Sequence, residues 1–452
     1  MAKRSLLNWI ALFAFLIGGA TRPVLADEEY SLEESPTNGL VYRVSAEVDV
    51  RGKLQTTASK EKTLDLDLAV EASFDYRERR LPGAGRDAEA LRSLRQYRQA
   101  QAAITVNKNR SFSSLSNADT MIVAHGNRPG ITFYQPSEFL TRNELELLQM
   151  PGDALAVLGL LPQTKVEVGQ KWTVETWAAQ MLTGTEALLK SDVSCELDYV
   201  RNNTAKVRIQ GSVEGAIQGA TTKIELSGYY LFDTDRNYLR SVELKQTEKR
   251  GVGAVSPGMD VVATVKIDRS PTTDAGQVTQ AATEKIPLEP KAEELQLLLQ
   301  LPWNASVSHS RDWHVFQRTQ HLTVLRLVKG GSLIAQCNLS PLAERNDNQP
   351  IRESEFRELV KKGLGDRLKS IVSSHAVPTD SETKLLRIVA KGESQKIDMT
   401  WHYYLATAQG RQMLFFVAFE SDLKEQLDEA DLKLVKTLRM QKPKLIPASG
   451  EK

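Results

Sequence analysis

The stretch Leu64-Asp-Leu-Asp-Leu-Ala-Val-Glu-Ala-Ser-Phe-Asp-Tyr76 decides how the chain is read. Its even positions, Leu64, Leu66, Leu68, Val70, Ala72, Phe74 and Tyr76, are apolar, and its odd positions are polar except Ala69. Side chains alternate faces along a strand, so the stretch predicts one long strand with an oily side and a wet side. At about 3.3 Å per residue it spans roughly 43 Å, beyond an ordinary strand. A strand of that length needs a broad partner sheet, and the sheet's apolar face needs cover.

The neighbouring sequence supplies both. Tyr42, Val44, Ala46, Val48 and Val50 share one face of a strand over 41–50. Arg51-Gly52-Lys53 reads as a turn, with a further strand from Leu54. Residues 87–98 fit a helix by Leu91, Leu94 and Arg98, and a strand by the run into Ile104 and Val106. Short strands are expected at 121–124 and 131–134. A second series alternates in the same way: Val193, Cys195, Leu197 and Tyr199; Ala205, Val207 and Ile209; Ile224, Leu226, Tyr230 and Phe232; Val242 and Leu244; Val261, Ala263, Val265 and Ile267. Such strands joined by short polar turns predict an antiparallel meander wetted on one face. Between the two series, 137–161 carries helical stripes. One is Leu140, Leu145, Leu147 and Leu148, ended by Pro151-Gly152. The other is capped by Asp153, carries Leu155, Val157, Leu158 and Leu161, and stops at Pro162. These are the expected cover for the apolar face.

The 452 residues exceed one core and predict two or three domains. Residues 1–26 have the layout of a signal peptide: basic Lys3 and Arg4, an apolar run over 6–20, and Val24-Leu25-Ala26 ahead of acidic Asp27. Cleavage between Ala26 and Asp27 leaves 55 basic against 57 acidic residues, near neutrality. Bulk charge therefore gives no reason to expect a nucleic-acid or anionic-membrane partner. No later stretch is long and apolar enough for a membrane span. The two cysteines, Cys195 and Cys337, lie far apart and are expected unpaired.

Residues 270–294, with Pro271, Pro287 and Pro290 among Thr, Gln, Glu and Ala, read as a linker. Beyond it, strand is expected over 313–328 and 331–338. An amphipathic helix over 352–373 carries Phe356, Leu359, Val360, Gly363, Leu364, Leu368, Ile371 and Val372. Strands follow over 384–390, 397–406 and 412–419, the last two as a hairpin. Asp422 and Glu425 suggest a capping box opening a final helix with Leu427, Ala430, Leu434 and Leu438 on one side. The amphipathic helix at Glu355–Ile371, the hairpin from Trp401-His-Tyr-Tyr-Leu to Gly410-Arg-Gln-Met-Leu-Phe-Phe-Val417, and the closing helix after Glu420 together resemble the PsbP-like family of α/β/α sandwich domains. The resemblance covers about a third of the chain. It implies a mostly non-enzymatic domain that binds other proteins or stabilises assemblies. The first half is similar to periplasmic lipoprotein carriers, where a curved sheet holds helices in its concavity, and that likeness is one of fold alone.

The expected fold class is α+β. A signal peptide (1–26) precedes a large curved antiparallel sheet domain with a helical insert (27–269), a linker (270–294), a smaller PsbP-like α/β/α sandwich (295–440) and a tail (441–452). Candidate chemistry is sparse. Asp65, Asp67, Glu71 and Asp75 share one strand face and read as a solvated surface. His309, His314 and His321 fall close together, but His314 and His321 would face opposite ways in a strand, against a metal site. His402 reads as a surface imidazole. No nucleophile elbow, phosphate loop or dinucleotide fingerprint is present. Trp172 and Trp177 flank the helical cover and either line a ligand cavity or pack as core. No catalytic residue, metal or cofactor is assigned. The expected function is non-catalytic: an exported interaction or assembly factor of the cell envelope with a protein partner. The alternative is a carrier of a hydrophobic, lipid-like ligand in the cavity of the first sheet.

Overall fold

A computed structural model describes residues 28–35, 39–59, 62–128, 130–253, 256–342, 351–379 and 382–441. The expected signal peptide, its Ala26–Asp27 junction and the tail beyond 441 lie outside the described residues. Strand dominates, at 57% against 14% helix, so the helices serve as cover for antiparallel sheets.

The first half opens with β1 (Val41–Ser59), β2 (Lys62–Arg80), β3 (Arg92–Val106), β4 (Asn109–Ser114), β5 (Thr120–Asn127) and β6 (Gly130–Tyr134). Next come β7 (Leu140–Thr141), α1 (Arg142–Leu148), β8 (Lys171–Thr173), α2 (Thr176–Thr183) and β9 (Ala187–Ser191). The meander follows: β10 (Ser194–Arg201), β11 (Thr204–Ile217), β12 (Ala220–Asp233), β13 (Tyr238–Arg250) and β14 (Gly258–Thr272). Together they form a 13-stranded sheet in the order β6-β5-β3-β2-β1-β14-β13-β12-β11-β10-β8, with β4 beside β3 and β9 beside β11.

Strand β2 contains the whole of the deciding stretch. Its inward side chains are buried from Leu68 to Tyr76 only in part: Leu68, Phe74 and Tyr76 are buried, Val70 and Ala72 half-buried. Leu64 is 46% exposed, because the helical cover does not extend to that end of the sheet. The expected turn at Arg51-Gly52-Lys53 does not form, since β1 runs straight through it. Gly52, at φ 151°, is needed there for a different reason: a Cβ would lie 2.2 Å from the Asp260 carbonyl oxygen on β14. Tyr199 leaves the face of Leu197 through a register shift and stands beside Lys206, whose ammonium is 6.0 Å from its ring.

The outward face is built of cross-strand charge rows. One runs Lys171, Glu196, Arg208, Tyr229, Glu243, Lys266, Glu47 across neighbouring strands from β8 to β1. Lys171 and Arg208 lie 3.3 and 3.5 Å from Glu196. On β2, Glu71 pairs with Arg51 at 2.6 Å and Asp75 with Arg43 at 3.0 Å. Opposite charges on facing positions stabilise a sheet modestly and keep its surface wet.

Away from the Leu64 end, the inward face is filled. Helix α1 begins with a capping box in which Thr141 and Glu144 satisfy each other's backbone N–H groups. The second expected helix is only a short helical turn over 156–160. With α2 it places Leu155, Ala156, Val157, Ala178, Ala179 and Leu182 at 0% exposure against the sheet.

Residues 270–294, expected as a linker, lie against the sheet. They include the end of β14 and a short helix, α3 (Gln280–Thr283). Val278 is buried on the outward face among Val41, Leu81, Leu94, Val123 and Tyr134. Beyond them are β15 (Leu297–Leu301), β16 (Ala305–His309), β17 (Trp313–Arg318), β18 (Thr323–Lys329), β19 (Ser332–Pro341), α4 (Glu353–Leu364), β20 (Leu368–Val377) and β21 (Lys384–Ser394). The described chain closes with β22 (Ile397–Ala408), β23 (Arg411–Glu420), α5 (Lys424–Leu427), α6 (Ala430–Lys436) and β24 (Arg439–Met440). A small sheet, β24-β16-β15-β7, stitches the halves, with β7 parallel to β15. A seven-stranded sheet runs β17-β18-β19-β23-β22-β21-β20. Phe356, Val360 and Leu364 of α4 pack on Ile388, Ala390, Trp401 and Tyr403. Leu434, Val435 and Leu438 cover the other face with β15 and β16.

Three expectations for this half are corrected. The strand over 313–328 is a hairpin of β17 and β18, turned at 319–322. The helix over 352–373 stops at Leu364. Gly365, at φ 52°, ends it, and Leu368, Ile371 and Val372 belong to edge strand β20. The final helix has no side-chain cap from Asp422 and is interrupted between α5 and α6, where Asp428 and Glu429 adopt φ 48° and 53°.

Candidate functional site

The two tryptophans named from sequence meet at one recess. Trp172 lies on β8 and Trp177 on α2, and both line a cleft of ≈140 Å³ with Gln163, Thr164 and Glu175. The Trp172 indole N–H donates to the Leu160 carbonyl at 3.0 Å. The Trp177 indole N–H donates to Glu175 Oε2 at 2.6 Å, and Gln163 Nε2 donates to Glu175 Oε1 at 2.7 Å. Both rings are thus fixed by their polar ends, with part of each face left to solvent. Gly159 permits this packing, since a Cβ there would lie 2.9 Å from Trp177 Cη2.

The remaining polar clusters are interior. On the inward face of the first sheet, Arg95 is wholly buried. It donates Nε to Glu78 Oε1 at 2.9 Å and both terminal nitrogens to Asp153 at 2.7 Å. Ser93 donates to the same Glu78 oxygen at 2.8 Å. Burial pushes the Glu78 carboxyl up, but Arg95 and Arg269 outweigh it and hold the carboxyl below its ordinary range. Arg269 binds Glu34 at 2.7 Å and tethers residues 28–35 to the sheet. These pairs fasten the cover and the N-terminal segment, and nothing reactive faces them.

A second cluster was not foreseen. His402, expected at the surface, is 5% exposed because it faces α6 and not solvent. Its Nδ1 lies 2.6 Å from Asp431 Oδ2, and the Tyr404 hydroxyl donates to the same oxygen at 2.6 Å. Arg387 stands 4.0 Å away. Burial raises the Asp431 carboxyl, yet the bonds from His402 and Tyr404 and the charge of Arg387 bring it below its ordinary value. Cys337 is buried nearby, and burial followed by the Asp431 charge pushes its thiol well up, so it is an unactivated thiol. Cys195 is likewise buried and free. The signal for this cluster was readable: Asp431 falls inside the apolar stripe of Leu427, Leu434 and Leu438.

His309 is buried at the end of β16, His314 is half-buried on β17, and His321 is exposed in the turn between β17 and β18. Among the described residues, no group of three or more His, Cys, Asp and Glu side chains is placed to hold a metal. His309 and His314 sit where the halves join, beside Arg142, which donates to the Arg311 carbonyl at 2.6 Å and the Trp313 carbonyl at 2.9 Å. Burial, with Arg142 adding, pulls both imidazoles down to about 4. A lowered folded pKa means stability that is present above the unfolded value near 6.5 and lost as pH falls toward 4. At pH 5 the buried His309 alone will lower stability by about 2 kcal/mol relative to neutral pH, and His309→Gln will remove that share of the loss. Urea midpoints at pH 7 and pH 5 for both proteins measure it; equal pH dependence in the two would refute the assignment.

No family model and no curated protein matches the chain. Among solved structures, a Pseudomonas aeruginosa protein of unknown function aligns over 32% of this chain and 97% of its own, at 12% identity and a TM-score of 0.24. A lipovitellin structure described by its lipid–protein interactions aligns over 52% of this chain and 25% of its own, at 10% identity and 0.29. The translocator domain of the autotransporter NalP from Neisseria meningitidis aligns over 85% and 89%, at 6% identity and 0.13. Likenesses this loose carry no functional argument. No helix of the described residues is long and apolar enough to cross a membrane.

Proposed function

We propose that the chain is an exported, non-catalytic binding protein that engages a protein partner in the cell envelope. One observation carries the reading. Except at its Leu64 end, the apolar face of the large sheet is filled by the chain's own residues, with Leu155, Ala156 and Val157 at 0% exposure. Binding is thereby left to surface features. The buried charge of Arg95 is engaged with Glu78 and Asp153 and that of Asp431 with His402, and neither cluster offers a base beside a nucleophile. Taken with the PsbP-like resemblance of residues 295–440, a seven-stranded sheet between α4 and α6 supports the same non-enzymatic role.

A lipid carrier is the second reading, favoured by the uncovered end of the inward face. There Leu64 is 46% exposed, and Leu54, Leu66 and Val70 are only half-buried. Native mass spectrometry of protein purified from its own cells separates the two. The interaction reading expects the bare polypeptide mass, together with a stoichiometric protein partner after crosslinking in intact envelopes. A lipid adduct on most molecules would overturn it in favour of the carrier.

A further inference from the structure

Strand β8 ends the large sheet, and its one strand partner among the described residues is β10. Val174 donates to the Val193 carbonyl and Leu197 to the Gln170 carbonyl. Alternate residues of an antiparallel strand bond to the same neighbour. Gln170, Trp172 and Val174 therefore face β10, while Lys171 and Thr173 direct their N–H and C=O groups to the open side. That side borders the Trp172–Trp177 recess, whose wall is shared with Thr173 and Val174. The recess, at ≈140 Å³, falls below the about 300–1,000 Å³ of small-molecule pockets. Its size suits one side chain held by a backbone running beside it.

We propose that this edge takes an extended peptide segment of a partner protein, added as a further antiparallel strand against β8, with one aromatic or large aliphatic side chain seated between Trp172 and Trp177. The exposed backbone groups of Lys171 and Thr173 supply the main-chain bonds, and the two indoles supply the apolar walls. The charge at the rim selects the flanks. Glu175 accepts from two neutral donors, Trp177 and Gln163, and has no ion pair among the described residues, while Arg86, which also lines the recess, is paired with Glu33 at 3.4 Å; a Lys or Arg beside the anchor therefore meets a carboxylate with no cation of its own. The inference rests on the binding reading above and names the kind of partner.

The test uses the full chain and the capped heptapeptide Lys-Thr-Val-Phe-Val-Thr-Lys, titrated by tryptophan fluorescence. Three further peptides accompany it: one with Gly for the central Phe, and two with N-methyl groups on one or the other alternating set of residues. The expected result is saturable binding of the Phe peptide and binding weaker by about tenfold or more for the Gly peptide. One N-methylated set should lose binding while the other keeps it, because only alternate amides face β8. Absent saturable binding, equal binding of Phe and Gly peptides, or equal binding of the two N-methylated sets would overturn the proposal. Thr173→Pro removes one outward N–H and leaves the bonds to β10 in place. If crosslinking in envelopes still captures the partner with this variant, the binding reading stands and this site falls.

Discussion

Arg95→Met will cost about 3–5 kcal/mol of stability, the usual penalty for breaking a buried ion pair by removing one partner. The reason lies in what remains. Arg95 has 0% side-chain exposure and serves Glu78 and Asp153, themselves 1% and 6% exposed. Without the guanidinium, two carboxylates face each other across a dry interior, and Glu78 already has one oxygen with no hydrogen-bond partner. Asp153 also accepts the Leu155 N–H at 2.8 Å, so the damage reaches the turn that carries Leu155, Ala156 and Val157 onto the sheet. Domains hold only about 5–15 kcal/mol in total, so a large part of the first half's stability goes with this one side chain. Lysine will not rescue it, because a single ammonium cannot reach four acceptors, Glu78 Oε1, both Asp153 oxygens and the Tyr97 hydroxyl, arranged around a planar fork. The triple change Arg95→Met, Glu78→Leu, Asp153→Leu should recover part of the loss, since an apolar replacement of similar volume is often neutral, while the Leu155 N–H and the Ser93 hydroxyl lose their acceptors. Urea denaturation of the three proteins measures the effect. A loss below about 1 kcal/mol for Arg95→Met would mean that water reaches the site and that the cluster is no anchor.

Glu78 also shows how far sequence alone could reach. The alternation that begins at Leu64 runs on past Tyr76, and the next inward position is Glu78. A carboxylate on an oily face needs a buried cation, so the existence of a partner was legible; that the partner is Arg95 on the adjacent strand was not. Periodicity carried the sheet in the same way, from β2 through the meander. It failed where one residue serves two geometries. Gly52 resembles a turn glycine because nothing in the sequence reveals the Asp260 carbonyl pressing on it. Leu368, Ile371 and Val372 continue a helical spacing, yet Gly365 reverses the backbone and an open sheet edge claims them. The recess at Trp172 and Trp177 was legible as two tryptophans beside a helical cover. The free edge of β8 was not, because it depends on which strand comes last.

Asp431→Ala will loosen α6 from the second half, at about 2–4 kcal/mol by comparison with other losses of a buried, charge-assisted cluster. Asp431 is 0% exposed and anchors α6 through His402 on β22 and Tyr404 two residues on. Removing it leaves a buried imidazole and a buried hydroxyl without their common acceptor, and the half-buried Arg387 without the carboxylate 4.0 Å from it. The helix has little else to hold it in register. It is seven residues long, follows two residues in left-handed backbone, and has no side-chain cap, so its own propensity contributes little. Asp431→Asn keeps the size and still offers an oxygen to Tyr404, but it returns only a neutral acceptor to His402 and no charge to Arg387. Its cost should fall between wild type and alanine. Hydrogen exchange separates local from global effects. The amides of α6 and β24 should lose protection in Asp431→Ala, while those of β1 and β2 keep theirs, because the large sheet has its own core. Uniform loss of protection across both halves would show instead that the chain unfolds as one unit, with β7 and β15 transmitting the damage through the small sheet that joins them.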